Sequence, residues 1–131
     1  MATSVERLAA ECAGTLLLVT AVIGSGIMGD RLSADTGVAL LANTGATAAA
    51  LYVLISLLGP ISGAHFNPVV SAVMAARGAM SPIAAGAYTI AQIAGGLLGT
   101  LLAHAMFDLP LLQTSTTLRV GVGQFIAEIL A

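Results

Sequence analysis

Charged residues are scarce in this sequence. Only 8% of its 131 residues are charged, whereas about 25% is usual in a soluble domain. The four basic residues are all arginines, and six acidic residues leave a formal net charge of -2. A chain without a basic patch is not expected to bind nucleic acid. Because 58% of the residues are hydrophobic, the composition predicts a protein of the lipid bilayer.

Cysteine and metal ligands are scarce too. Cys12 is the one cysteine, which excludes an internal disulfide framework and a metal site built from paired cysteines. His65 and His104 are far apart in sequence, with no cysteine or carboxylate at ligand spacing, so we predict no metal site and no cofactor. No nucleophile motif accompanies the serines and histidines. The sequence therefore predicts no enzyme.

Charges border three long uncharged runs, and a charge at the middle of a bilayer is costly. The runs lie between Glu11 and Asp30, between Asp35 and Arg77, and between Arg77 and Asp108. A transmembrane helix needs about 20 apolar residues. The pattern predicts transmembrane helices over residues 8–28, 38–58 and 82–107, with a fourth beginning at 120–131.

The middle run is too long for one transmembrane helix and short for two. We expect Gly59 and Pro60 to end the helix that precedes them. The remainder, up to Ala76, begins with polar residues, and its helix, starting near Asn67, would have about ten residues and a length of about 15 Å. That is half of a hydrocarbon core of about 30 Å. Residues 59–77 are therefore predicted to form a re-entrant loop and half-helix.

Asn67 and Pro68 stand where this half-helix would begin. Proline suits the first helical position and asparagine the cap before it. Non-helical backbone at membrane depth is tolerated where it is buried or lines a water-filled cavity. The unpaired N–H groups and positive dipole of the helix end would disfavour cations there. The segment thus predicts a pore for neutral molecules.

Residues 62–71, with the sequence Ser-Gly-Ala-His-Phe-Asn-Pro-Val-Val-Ser, resemble the first Asn-Pro-Ala loop of the aquaporin, or major intrinsic protein, family. Three more stretches resemble the family's first, third and fourth helices: 11–15, 88–95 and 123–128. The resemblance implies an all-α membrane protein with three transmembrane helices, a re-entrant half-helix and the start of a fourth helix. Residues 1–131 would form the N-terminal repeat, with a cytoplasmic N-terminus.

The resemblance also implies roles for individual residues. Asn67 would donate a hydrogen bond to the permeating molecule, and the carbonyl groups around Ala64 would form a ladder of acceptors. Glu11 and Gln92 would support the loop, and Glu128 matches Glu11 in the second repeat. The implied pore and selectivity residues are Gly63, Ala64, His65, Asn67, Pro68, Val69 and Thr47.

Two positions depart from the family's pattern. Val69 replaces the usual alanine after Asn-Pro. Thr47 stands where family members often have an aromatic residue in the outer constriction. A small residue there suggests a wide filter, which favours glycerol-like solutes or metalloid hydroxides over strict water conduction.

We therefore expect a passive, multi-pass channel in a bilayer, in a bacterial inner or plasma membrane. The pore needs a second half, from a missing C-terminal portion or another copy, and the family resemblance implies a homotetramer. Two alternatives remain: a non-conducting scaffold or truncated remnant that assembles with other channel subunits, and a proton-coupled carrier using Glu11. A series of small residues on the third transmembrane helix predicts either packing within the bundle or a dimer contact: Ala87, Ala91, Gly95, Gly99 and Ala103.

Overall fold

The computed structural model describes residues 3–114 and 121–130, the last four of these by their backbone alone. It contains five helices: α1 (Ser4–Leu32), α2 (Thr36–Ser62), α3 (Pro68–Ala76), α4 (Pro82–Met106) and α5 (Val122–Leu130). No strand occurs in the described part. The helices α1, α2 and α4 are long and apolar enough to cross a membrane. The predicted all-α membrane fold is confirmed.

The first two helices begin earlier than the uncharged runs suggest, because polar residues cap them. The Thr3 hydroxyl accepts from the Glu6 N–H at 3.3 Å, while the Glu6 carboxylate accepts from the Thr3 N–H at 2.7 Å. This capping box starts α1 at Ser4. The Asp35 carboxylate accepts from the N–H of Gly37 at 2.8 Å and so starts α2 at Thr36. Capping extends each helix beyond its apolar core.

The prediction that Gly59 and Pro60 end the second helix is wrong. Pro60 lies inside α2, which continues to Ser62. Proline lacks one N–H donor, but its fixed φ is compatible with a helix, so the helix continues through it. The chain leaves the helix at Gly63, whose φ is 94° and whose N–H donates to the Gly59 carbonyl at 2.9 Å. A glycine in the left-handed conformation is a common helix end.

The half-helix begins where the sequence predicts. Asn67 is the N-cap and Pro68 the first residue of α3, which has nine residues and is therefore about 13 Å long. In the same way Ser81 caps α4, accepting from the Ala84 N–H at 3.2 Å, and Pro82 follows it. Since α3 packs against α4, the half-helix lies beside a full-length helix.

Helix α1 packs against both α2 and α4. Its approach to α4 depends on two glycines. A Cβ added at Gly95 would overlap the carbonyl of Cys12, and one at Gly99 would overlap the carbonyl of Leu16. The Thr20 hydroxyl also donates to the Gly99 carbonyl at 3.1 Å. This part of the small-residue series thus serves packing within the bundle.

Polar groups connect α1 to its neighbours nearer its C-terminal end. The Asn43 amide of α2 donates to the Val22 carbonyl at 2.7 Å and to the Ser25 hydroxyl at 3.1 Å. The Arg31 guanidinium donates to the Phe107 carbonyl at 2.8 Å and lies 5.2 Å from the centre of its ring. These contacts fix the three long helices relative to one another.

The described residues of the predicted fourth span form α5 (Val122–Leu130). The Glu128 side chain, for which the sequence predicts a role in a second repeat, lies outside the described part, so that role stays a prediction.

Candidate pore loop and its buried support

The segment between α2 and α3 has an unusual backbone. Gly63, Ala64 and Phe66 all have positive φ, at 94°, 51° and 47°. Left-handed backbone costs a residue with a Cβ roughly 1–2 kcal/mol, so it persists only where neighbouring groups hold it. Contacts with neighbouring groups must therefore hold residues 63–67 in this conformation.

The Glu11 carboxylate holds the loop. Glu11 is fully buried in α1, with 0% exposure. Its Oε1 accepts from the His65 N–H at 3.0 Å and from the Ser62 hydroxyl at 2.6 Å. Its Oε2 accepts from the Phe66 N–H at 2.7 Å and from the Gln92 amide at 2.8 Å. A carboxylate has about four lone-pair sites, and four donors meet here. The structure thus brings Glu11 and Gln92 together at the loop.

These hydrogen bonds also set the direction of the loop carbonyls. In a planar trans peptide the N–H and the preceding C=O point in opposite directions. The N–H groups of His65 and Phe66 point at Glu11, so the carbonyls of Ala64 and His65 point away from it. The Ala64 N–H donates to the Ser62 hydroxyl at 3.1 Å, which turns the Gly63 carbonyl away from that hydroxyl. Within the described residues none of these three carbonyls accepts a hydrogen bond.

Phe66 anchors the loop on the apolar side. Its side chain is 5% exposed, and its ring lies directly against Gly14 of α1. A Cβ added at Gly14 would overlap this ring. The left-handed φ of Phe66 is therefore held by a ring in a fitted space as well as by the bond to Glu11.

Tyr88 of α4 supports the start of the loop. Its hydroxyl donates to the Ser62 carbonyl at 2.8 Å, and its ring meets the His65 ring edge-on, with 5.3 Å between centroids. Tyr88 and Gln92 are four residues apart, so they lie on the same face of α4. That spacing could have revealed Tyr88 beside Gln92 in the sequence.

Ser71 of α3 joins the same cluster, and sequence reasoning missed it. It is fully buried, with 0% exposure. Its hydroxyl lies 3.0 Å from His65 Nδ1 and accepts from Gln92 Nε2 at 3.1 Å. The available signal was its position four residues after the N-cap Asn67, on the face of α3 below the cap. Nothing else in the sequence indicates that this serine is buried.

Asn67 is exposed at the mouth of the half-helix. Its Oδ1 accepts from the Val69 N–H at 2.8 Å, which leaves its amide nitrogen with no partner in the described part of the chain. Pro68 follows at the first helical position. Val69 is 68% exposed. The cap bond therefore orients the Asn67 amide so that its N–H groups are free to donate.

Thr47 lies apart from the other predicted site residues. It is in α2, about 22 Å along the helix axis from Ser62, and shares no hydrogen bond with the Glu11 cluster. Its hydroxyl is buried without a partner among the described residues. The structure therefore gathers the loop and support residues but leaves the predicted filter residue elsewhere.

A cavity of about 400 Å³ borders the loop on the side of the N-terminal ends of α1 and α4. Its polar lining comes from Arg7, His65 and Tyr88, together with serine hydroxyl groups, and its apolar lining includes Met74 and Met80. His65 thus lines a space large enough for a small solute.

The sequence matches the profile of the major intrinsic protein family over residues 1–131. The chain belongs to the major intrinsic protein family. This confirms the resemblance drawn from the loop motif, and it fits the arrangement of a short helix, a left-handed loop and a buried glutamate. Family membership also accounts for three apolar helices that can cross a bilayer, so this is an integral membrane protein.

Individual members of the family are similar along much of the chain. An aquaglyceroporin of Rhizobium meliloti (strain 1021), AqpS, is 55% identical over 94% of this chain and 53% of its own length. A probable aquaporin of the TIP type from Nicotiana tabacum, RB7-5A, is 37% identical over 76% of this chain and 41% of its own. Aquaporin-8 of Notomys alexis is 45% identical over 56% of this chain. The chain spans about half the length of the first of these relatives.

Proposed function

We propose that this chain forms the first half of the pore of a passive channel for water and small neutral solutes. The observation that carries the proposal is the loop 63–67. Its carbonyls at Gly63, Ala64 and His65 are turned away from the bonds that hold the loop, and Asn67 offers an amide donor at its end. A row of acceptors followed by a donor suits a molecule that both donates and accepts hydrogen bonds.

The electrostatics of the loop favour neutral solutes. The N-terminus of α3 presents the positive end of its dipole beside Asn67, which disfavours cations. Glu11, the residue that a proton-coupled carrier would need, already accepts four hydrogen bonds from the loop and from α4. A carboxylate occupied in this way is suited to support rather than to proton transport.

We propose that a second half completes the pore, supplied by a C-terminal portion or by another copy, and that the channel is a homotetramer. Large apolar side chains on α3 are exposed: Val69 at 68% and Val73 at 50%. These residues lie on the half-helix that Asn67 caps, so an opposing half would cover them. We place the protein in a bacterial inner or plasma membrane, in keeping with the bacterial relative.

For the solute we favour glycerol-like molecules or metalloid hydroxides over strict selection of water. The supporting observations are the small residue Thr47, at a position where family members often have an aromatic residue, and the name of the Rhizobium meliloti relative, which describes an aquaglyceroporin. Val69, in place of the usual alanine, adds apolar volume where the two half-helices would meet.

The test is stopped-flow light scattering on proteoliposomes that hold the chain, challenged with sucrose for water and with glycerol for solute uptake. The variant is Asn67→Asp. Aspartate caps a helix as well as asparagine does, so α3 keeps its start, but the amide donor is lost and a negative charge takes its place. We expect the permeability to water and glycerol to fall by at least roughly tenfold, the effect of about 1.4 kcal/mol on a barrier.

Gln113→Glu is the matched control, since it makes the same amide-to-acid change at an exposed residue outside the loop. It should leave both permeabilities unchanged. Equal permeability of the Asn67→Asp variant and the unsubstituted chain would contradict the assigned donor role. Liposomes with inserted, helical protein but no added permeability would mean either that a separate second half is required or that the chain is a non-conducting scaffold.

A further inference from the structure

The Ser71 hydroxyl lies between three groups that limit where its hydrogen can go. Its neighbours are Gln92 Nε2 at 3.1 Å, His65 Nδ1 at 3.0 Å and the Asn67 carbonyl at 3.4 Å. These distances, together with what each neighbouring group is able to donate or accept, determine where each hydrogen lies. Neither the sequence motif nor the comparisons assign a role to Ser71.

The Glu11 carboxylate determines which way the Gln92 side-chain amide is turned. Gln92 Nε2 lies 2.8 Å from Glu11 Oε2, and an ionised carboxylate oxygen can only accept. The Gln92 side chain must therefore turn its NH₂ group, and not its carbonyl oxygen, towards the carboxylate. The second hydrogen of the same NH₂ group then points at the Ser71 hydroxyl. Ser71 accepts from Gln92.

The hydrogen of Ser71 goes to His65. A good O–H donor bond has a heavy-atom distance of about 2.5–3.0 Å. His65 Nδ1 at 3.0 Å meets this limit, whereas the Asn67 carbonyl at 3.4 Å does not. That carbonyl also accepts from the Ser71 backbone N–H at 3.2 Å. A hydrogen on Nδ1 would leave the Ser71 hydroxyl with only the poorer acceptor.

We propose that Ser71 is a positioning residue that holds His65 in the tautomer with its hydrogen on Nε2. In neutral imidazole one nitrogen donates and the other accepts. With Nδ1 accepting from Ser71, Nε2 carries the hydrogen. Nε2 lies beside Gly63, since a Cβ at Gly63 would be 3.3 Å from it, and it has no hydrogen-bond partner in the described part of the chain. The ring therefore presents a donor next to Gly63.

The consequence for permeation depends on the proposed function. A solute in the cavity of about 400 Å³ that His65 lines would meet Nε2–H as a donor. The hydroxyl oxygen of such a solute can accept from it. The charged and titratable groups that face the ring are Arg7 in the same cavity, Glu11 beneath the loop and Tyr88 edge-on to it.

The test is nitrogen NMR of the histidine-labelled chain in lipid bilayers at a pH of about 8.5, where an ordinary imidazole is neutral. The chain has only two histidines, so a His104→Asn variant assigns the signals. We expect Nδ1 of His65 to resonate as an unprotonated nitrogen and Nε2 as a protonated one. A protonated Nδ1 in the unsubstituted chain would overturn the proposal.

The substitution Ser71→Ala removes the hydroxyl, and the two nitrogen signals should then shift towards a mixture of both tautomers. Ser71→Thr retains the hydroxyl and should restore the original pattern. Ser56→Ala is the matched control, because that hydroxyl bonds within α2, to the Tyr52 carbonyl, and its loss should change nothing.

An unchanged pattern in Ser71→Ala would also overturn the proposal. If that variant does not insert, Ser71→Cys keeps the size with a weaker donor and should give an intermediate shift, and an unchanged pattern there would count against Ser71 equally. None of these measurements uses permeability. A wrong tautomer therefore leaves the proposed channel standing, and a failed permeability test leaves the tautomer result valid.

Discussion

The interface between α1 and α4 contains two regions that are held together by different kinds of contact. Towards the N-terminal ends of both helices it is polar, with Glu11 and Gln92 fully buried and bonded to each other. About one and two turns further along, Gly95 and Gly99 let the two backbones touch. In the first region a third segment, the loop, donates hydrogen bonds to Glu11 of α1, whereas in the second the two helices meet without it.

The difference follows from the hydrogen bonds of the backbone. A regular helix satisfies its own N–H and C=O groups, so two helices in a bilayer need only small residues and close packing. The loop 63–67 cannot satisfy its N–H groups internally. An unsatisfied buried polar group costs roughly 1–3 kcal/mol, and the buried carboxylate removes that cost for His65 and Phe66.

The largest expected effect on stability comes from Gly95→Leu, which places a large side chain in the region of close packing. The side chain would have to occupy the position of the Cys12 carbonyl, and backbone cannot move aside as a side chain can. We expect a loss of about 3 kcal/mol, the upper end of the usual range for overpacking. Helical content during titration with a denaturing detergent measures it.

Gly86→Leu is the matched control on the same helix, since a Cβ there meets nothing within 4 Å. It should unfold at the same detergent concentration as the unsubstituted chain. If Gly95→Leu behaved like this control, the helices would not be in backbone contact.

Glu11→Gln changes the polar region and should have the second-largest effect on stability. One carboxylate oxygen becomes an NH₂ group that can no longer accept, so two buried donors lose their partner. We expect a loss of roughly 2–3 kcal/mol, located in the loop rather than in the helix pair. Hydrogen exchange should speed up at the amides of His65 and Phe66 while the middle of α4 stays protected.

Glu6→Gln makes the same change at the exposed capping box of α1. It should leave exchange in the loop unaltered. Uniform acceleration along all helices in Glu11→Gln would mean that the carboxylate supports the whole bundle and not the loop in particular.

Tyr88→Phe removes one hydrogen bond from the polar region and keeps the ring. The Ser62 carbonyl loses its donor at 2.8 Å, which should cost about 1 kcal/mol. The same detergent titration measures this loss. Tyr52→Phe, at a tyrosine 76% exposed, should have no effect, and equal losses in the two variants would refute the selective role of Tyr88.

Thr20→Val should have the smallest effect, because it removes the one hydroxyl that crosses the glycine region. Its bond to the Gly99 carbonyl measures 3.1 Å, and such bonds between membrane helices contribute about 0.6 kcal/mol on average. Thr44→Val, where the hydroxyl bonds within its own helix, is the control. A loss as large as that of Glu11→Gln would show that both regions depend on polar contacts.

Much of the fold could be predicted from local sequence. Serine or asparagine before proline marks the starts of α3 and α4, because capping and the fixed φ of proline act over neighbouring residues. The end of α2 could not be predicted in this way. Pro60 was expected to break the helix, but Gly63 ends it, since the turn is set by the loop that Glu11 holds.

The sequence by itself determined the three apolar helices, the capped half-helix and, through the motif around Asn67, the family. These features depend on residues close together in the chain. Only the tertiary structure decided that Ser62, Ser71 and Tyr88 join Glu11 and Gln92 in one cluster. They come from four different helices, and their hydrogen bonds exist only once α1, α2, α3 and α4 have packed together at the loop.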